Sequence, residues 1–266
     1  MRTIACGLAL LALGISVAEA QDWARKRLET SPRHQEWVTI QYGDRAVEAF
    51  LVFPERKDKA VAVVVIHEIM GLTDWVRSVA DQLAEAGYIA IAPDFLSGMG
   101  PGGGRTTAFP TVDAVREAMS KLPPEQITAD LHAVVDYVAK LPAANGKVAV
   151  AGFCWGGSQT FRFATDRADL AAAFVFYGTG PQEAEPIGRI RCPVYAFYGG
   201  NDARVNATIP KSEELMKAAG KTFDYVIYDG AGHGFMRTGE APDAAEANRK
   251  ARDQAWERWK ALLEKL

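Results

Sequence analysis

The chain is poor in the residues that build metal and disulfide frameworks: 266 residues carry three cysteines and four histidines. A disulfide-dense miniprotein is excluded, and the Cys and His positions lack the spacing of zinc ligands. An excess of one charge is also missing. Lys and Arg number 30 against 33 Asp and Glu, a formal net charge of −3. Such a chain has no basic field to hold a polyanion, so nucleic acid is not an expected partner. No C-x-x-C pair occurs, and no dinucleotide fingerprint opens a helix. No metal, nucleotide or flavin cofactor is indicated. What remains, 48% hydrophobic and 24% charged, is the composition of an ordinary globular protein, neither disordered nor collagen-like.

Only the N-terminus carries a long apolar run. Arg2 precedes the stretch from Ile4 to Val17, and Ala18-Glu19-Ala20 supplies a small-x-small site. This is the pattern of a secretory signal, too short for a comfortable membrane span. Residues 1–20 are therefore expected to be a signal peptide, 21–36 a polar surface lead-in, and 37–266 one domain. The mature protein is expected in the periplasm or outside the cell, without stable membrane insertion; the simplest reading is a monomer. Cys6 leaves with the signal. Cys154 and Cys192 remain, and could pair in an oxidising compartment.

Strand patterns alternate at 37–42 and 47–53 around Gly43-Asp44, an opening antiparallel hairpin. Continuous β-branched or apolar runs follow at 60–66, 88–92, 147–153, 171–177, 194–198 and 223–228. Such runs suit strands buried on both faces of a parallel sheet. Between them, Trp75, Val76, Val79, Ala80 and Leu83 recur at helical spacing, as do Ile127, Leu131, Val134, Val135 and Val138. Residues 209–219 and 244–263 read as further helices. The alternation predicts an α/β fold, a mostly parallel central sheet with helices on both faces. Ser97–Arg105 is Gly and Pro in six of nine positions. It is either a mobile rim of the ligand crevice or a flexible insertion. No Gly-Lys-Ser/Thr follows and no helix opens at its glycines, so it is not a phosphate loop.

The most informative stretch is Lys147–Gly157. A strand runs into Gly152-Phe153-Cys154-Trp155-Gly156 and a helical segment follows. This is a nucleophile elbow with Cys in place of Ser: a sharp turn projects the nucleophile above the sheet, glycines leave room for the crossing, and the next N–H, that of Trp155, is an oxyanion donor. With 24 glycines in 266 residues, both flanking glycines arise by chance at under ~1% per cysteine. The elbow predicts an acid and then a histidine downstream. Among His34, His67, His132 and His233, only His233 lies well downstream, in a Gly-rich loop after the 223–228 strand. Asp202 follows the preceding strand, and Asp229 is the competitor for the acid. His67-Glu68 ends the 60–66 strand, where the second oxyanion loop belongs; Ile69 is the natural backbone donor there. Glu68 either ties the loop or exchanges a proton with Cys154.

GFCWGG, HEIMGL, PDF, YGGND and AGHGFMR together resemble the dienelactone hydrolase family. The resemblance spans about residues 37–266 and implies an α/β-hydrolase fold with a Cys-His-Asp triad at Cys154, His233 and Asp202. It implies that Glu68 holds the resting thiol and takes its proton. It further implies that Arg237, four residues after His233, binds a substrate carboxylate. Well-studied members carry another substrate arginine shortly after PD. Here glycine falls at that place, and Arg105 is the candidate replacement from the longer loop. The expected activity is hydrolysis of a small ester or lactone, dienelactone-type and carboxylate-bearing, through a thioester acyl-enzyme. Two other classes stand beside it: a thiol redox or scavenging protein using Cys154, and a non-catalytic binding module.

Overall fold

The computed structural model describes residues 21–266. The expected signal peptide lies outside them. Eight strands form one sheet: β1 (Gln35–Tyr42), β2 (Arg45–Val52), β3 (Ala60–Ile66), β4 (Ile89–Pro93), β5 (Ala144–Phe153), β6 (Ala172–Phe176), β7 (Val194–Gly199) and β8 (Phe223–Tyr228). Their order is β1-β2-β4-β3-β5-β6-β7-β8. β1 pairs with β2 and β2 with β4 antiparallel, and every other pairing is parallel. The predicted hairpin and mostly parallel sheet are both present.

β3 shows why its run is β-branched throughout. All seven residues are buried. Ala62, Val64 and Ile66 face one hydrophobic cluster, Val63 and Val65 the other, as the two-residue period of a strand requires. The first cluster takes Val115 and Met119 of α3 (Val112–Ser120), Ile127, Leu131, Val134 and Val138 of α4 (Pro124–Ala139), and Phe161 of α5 (Trp155–Ala164). The second takes Trp75, Val76 and Val79 of α2 (Asp74–Glu85) and Trp259 of α10 (Glu246–Leu263). At roughly 1.5–3 kcal/mol for each fully buried aliphatic side chain, the two faces supply the main drive for folding. Short helices α6 (Ala184–Gly188), α7 (Ala203–Asn206), α8 (Ile209–Ala218) and α9 (Phe235–Thr238) fill the later connections. Among the described residues, no helix is long and apolar enough to cross a membrane.

The lead-in differs from expectation. Asp22–Thr30 is a helix, α1, which buries Ala24 and Leu28 in the cluster shared with α2. The chain behind it is anchored by Asp81 of α2, whose side chain is fully buried. Arg33 donates to both carboxylate oxygens, Nε at 3.0 Å and an Nη at 2.7 Å, and Ser31 and Gln35 add further bonds. Only two core positions in nine residues is too sparse an apolar period to read from sequence.

The Gly-rich segment is built as turns, with 3-10 helices at 101–103 and 106–108. Asp94 closes it: its carboxylate accepts from the amides of Leu96 and Thr106 and from the Thr106 hydroxyl. The same Thr106 oxygen accepts from the Leu72 amide. The segment thereby braces the 67–72 loop.

Candidate active site

Cys154 sits between the end of β5 and the start of α5 with φ 55° and ψ −115°. A left-handed φ is costly for a residue with a Cβ and clusters at functional sites. Packing enforces it. A Cβ on Gly152 would lie 2.1 Å from the Gly156 carbonyl oxygen, and one on Gly156 would lie 2.4 Å from the carbonyl oxygens of Ile66 and His67. Both elbow glycines are thus required by the strand–helix crossing. Tyr177, at the end of neighbouring β6, is the other non-glycine residue of positive φ (40°) among the described residues.

His233 arrives on the loop between β8 and α9. Its Nε2 lies 3.1 Å from Cys154 Sγ, and its Nδ1 donates to Asp202 Oδ2 at 2.5 Å. The acid that meets the imidazole is Asp202, not Asp229. Asp202 follows β7 and is 6% exposed. Its other oxygen accepts from the Val205 amide at 3.3 Å and so caps α7. The His233 pKa is raised to about 9, chiefly by the hydrogen bond to the Cys154 sulfur and then by Asp202, with burial opposing. The imidazole therefore retains a proton through neutral pH.

Glu68 and Arg237 meet each other. Arg237 Nε donates to Glu68 Oε2 at 2.8 Å, and the carboxylate is 4% exposed. Of the two sequence readings of Glu68, this arrangement has the character of the loop tie. Arg237 opens onto a cleft that includes Gln21, Trp23 and Thr238. It is also near enough for the charges of Tyr177 and Cys154 to act on it. Arg105 is also engaged elsewhere: it donates to Glu48 at 2.8 Å and lies 3.6 Å above the Trp37 ring. The missing arginine after PD is not replaced from the Gly-rich loop at this site.

The cleft over Cys154 has a volume of about 340 Å³ and is lined by Ile69, Trp155, Tyr177 and Val205, with Ser158, Thr179 and Arg204 as its other polar members. That size suits a small acyl group. Ile69 and Trp155, the two expected backbone donors, both border it. The Trp155 ring stacks on His67 at 5.7 Å and meets Phe95 edge-on. His67 is fully buried, its Nδ1 donates to the Glu68 carbonyl, and burial lowers its pKa. It is a neutral backing for Trp155. Cys154 and Cys192 are both free thiols, and burial pushes Cys192 up to about 11.

Sequence reasoning missed Tyr177 and Arg204. Tyr177 is buried beside Glu68, and its ring meets His233 edge-on at 5.1 Å. Burial first, and the charge of Glu68 second, hold it well above the ordinary tyrosine range. The signal available was its place after a buried strand beside the elbow. Arg204 had a plainer one, two residues after the acid.

Comparison with known proteins identifies the family. The family described as "Dienelactone hydrolase family" matches residues 47–266. A protein of Methylorubrum extorquens named "Putative carboxymethylenebutenolidase" is 32% identical over 209 residues, covering 74% of this chain and 71% of its own. One of the same name from Saccharolobus solfataricus is 29% identical, covering 83% and 94%. A Klebsiella pneumoniae crystal structure, "Putative Dienelactone Hydrolase", superposes with a TM-score of 0.76 at 25% identity over 88% of this chain and 99% of that one. With its eight-stranded sheet and the match across nearly all of the described residues, the chain belongs to the dienelactone hydrolase family of α/β-hydrolases.

Proposed function

We propose that the protein hydrolyses small esters or lactones by covalent catalysis at Cys154. The observation that carries this reading is the continuous Asp202–His233–Cys154 chain, 2.5 Å and 3.1 Å, ending on a sulfur at an enforced elbow. The thiolate attacks the carbonyl carbon, and its proton rests on His233. The oxyanion accepts from the amides of Trp155 and Ile69. Collapse breaks the C–O bond, passes the His233 proton to the leaving oxygen and leaves a thioester. Water then attacks while His233 takes its proton, and the second collapse frees the acid and the thiol. Asp202 fixes the tautomer and stabilises the imidazolium.

The carried-over role of Glu68 as proton acceptor for the resting thiol needs Sγ to turn away from His233. The carried-over role of Arg237 as carboxylate clamp competes with its bond to Glu68. The Arg237 clamp is part of the proposal, and Glu68 is the alternative to His233 as acceptor of the thiol proton. Residues 1–20 are proposed to direct export, and their removal leaves Gln21 first. The free state of both thiols and the inert Cys192 favour hydrolysis over the redox reading. The test is turnover of a dienelactone and of a neutral aryl ester, each beside Cys154→Ala. Turnover of either that vanishes in the variant, with the fold retained, is the expected result. Equal rates in the two proteins would overturn the mechanism.

A further inference from the structure

The peptide unit between Glu68 and Ile69 is held at one end and open at the other. Its carbonyl oxygen accepts from His67 Nδ1 at 2.8 Å and from the Gly71 amide at 3.1 Å. The N–H of the same unit, that of Ile69, meets no backbone acceptor among the described residues, and Ile69 borders the cleft over Cys154. In a planar trans peptide, C=O and N–H point in opposite directions. Fixing the carbonyl therefore fixes the donor. A carbonyl oxygen only accepts, so the His67 hydrogen sits on Nδ1.

The ring that makes this bond is itself held. His67 is fully buried. It meets Phe95 edge-on at 5.2 Å and stacks on Trp155 at 5.7 Å, with 17° between the planes. Trp155 opens α5, and its amide is the second donor of the proposed oxyanion hole. One side chain thus touches both halves of that hole: it bonds the carbonyl behind the Ile69 amide and seats the ring of the residue that carries the other. The loop is also pinned from its far side. The Leu72 amide donates to the Thr106 hydroxyl, and a Cβ on Gly71 would lie 2.5 Å from that oxygen.

We infer that His67 is a positioning residue for the oxyanion hole: its Nδ1–H turns the Glu68–Ile69 peptide so that the Ile69 amide faces the carbonyl under attack. This rests on the hydrolase reading above. Two reactions of Cys154 in the full protein separate the hole from the nucleophile. Hydrolysis of 4-nitrophenyl butyrate passes through an oxyanion in both acylation and deacylation. Alkylation by iodoacetamide forms an S–C bond and expels iodide at a saturated carbon, with no oxyanion. His67→Phe keeps an aromatic ring and loses the donor. It lowers kcat for the ester about tenfold or more with KM within about twofold, because both steps slow together. Its rate of Cys154 alkylation, read from the mass of the Cys154 peptide, stays within about twofold of wild type. His67→Asn places an amide N–H near the Nδ1 position and restores most of kcat. Ester turnover unchanged in His67→Phe, alkylation that falls in step with it, or an Asn variant no better than the Phe one would each overturn the assignment alone. If the wild-type protein shows no Cys154-dependent turnover of the ester, the hydrolase reading falls and the assignment with it.

Discussion

A sulfur 3.1 Å from an imidazole whose far nitrogen is already bonded to a carboxylate needs no rearrangement before proton transfer. The pH dependence follows from His233. Its pKa is raised to about 9, so the imidazolium persists below that pH and is lost as pH rises through it. In the proposed mechanism the leaving oxygen takes its proton from His233, so kcat/KM is expected to fall above about pH 9. Asp202→Asn removes one of the contacts that raise this pKa. Its alkaline limb moves to lower pH and its plateau drops by roughly 10²–10⁴. A pH–rate profile of both proteins checks this. A limb that stayed in place would dissociate the descent from His233. The three members of the proposed triad were readable because each follows a strand and chain order constrains them. The pairing of Glu68 with Arg237 was not, since it joins side chains 169 residues apart through two loops whose paths no local pattern encodes.

The helices differ in how much of themselves they declare. α4 buries Ile127, Leu131, Val134, Val135 and Val138, a stripe dense enough to be read from spacing alone. α1 buries two residues and α3 only Val115 and Met119. Both are held by their neighbours more than by their own period; the one local mark on α3 is the Thr111 cap before Val112, Val115 and Met119. For α1 the holding group is Asp81, and a measurable cost attaches to it. Asp81→Ala leaves Arg33, whose side chain is 12% exposed, without its partner. Loss of one member of a buried pair costs about 3 kcal/mol or more. Denaturant unfolding of the described chain should show this as a lowered midpoint. A change under about 0.5 kcal/mol would mark the lead-in as a passive attachment.

Two hydrophobic clusters enclose one sheet, and the two thiols sit differently with respect to them. Cys192 is 6% exposed and packed in the cluster with α4 and α8, while Cys154 borders the open cleft. In a protein beginning at Gln21, which lacks Cys6, an aromatic disulfide reagent should therefore titrate one thiol rapidly in the native state. The second should react only at the rate of global opening. Two fast thiols would mean that the Cys192 side of the sheet opens locally. The two-faced core was readable because an unbroken β-branched run such as Ala60–Ile66 has no solvent face to alternate with. The elbow's enforced backbone has a consequence for ancestry. Cys154, Asp202 and His233 follow the ends of β5, β7 and β8, each placed by its own local geometry. The turn after Asp202 is the exception: it holds the acid's second oxygen through the Val205 amide, so a lineage that rewrites that turn puts the acid itself at risk.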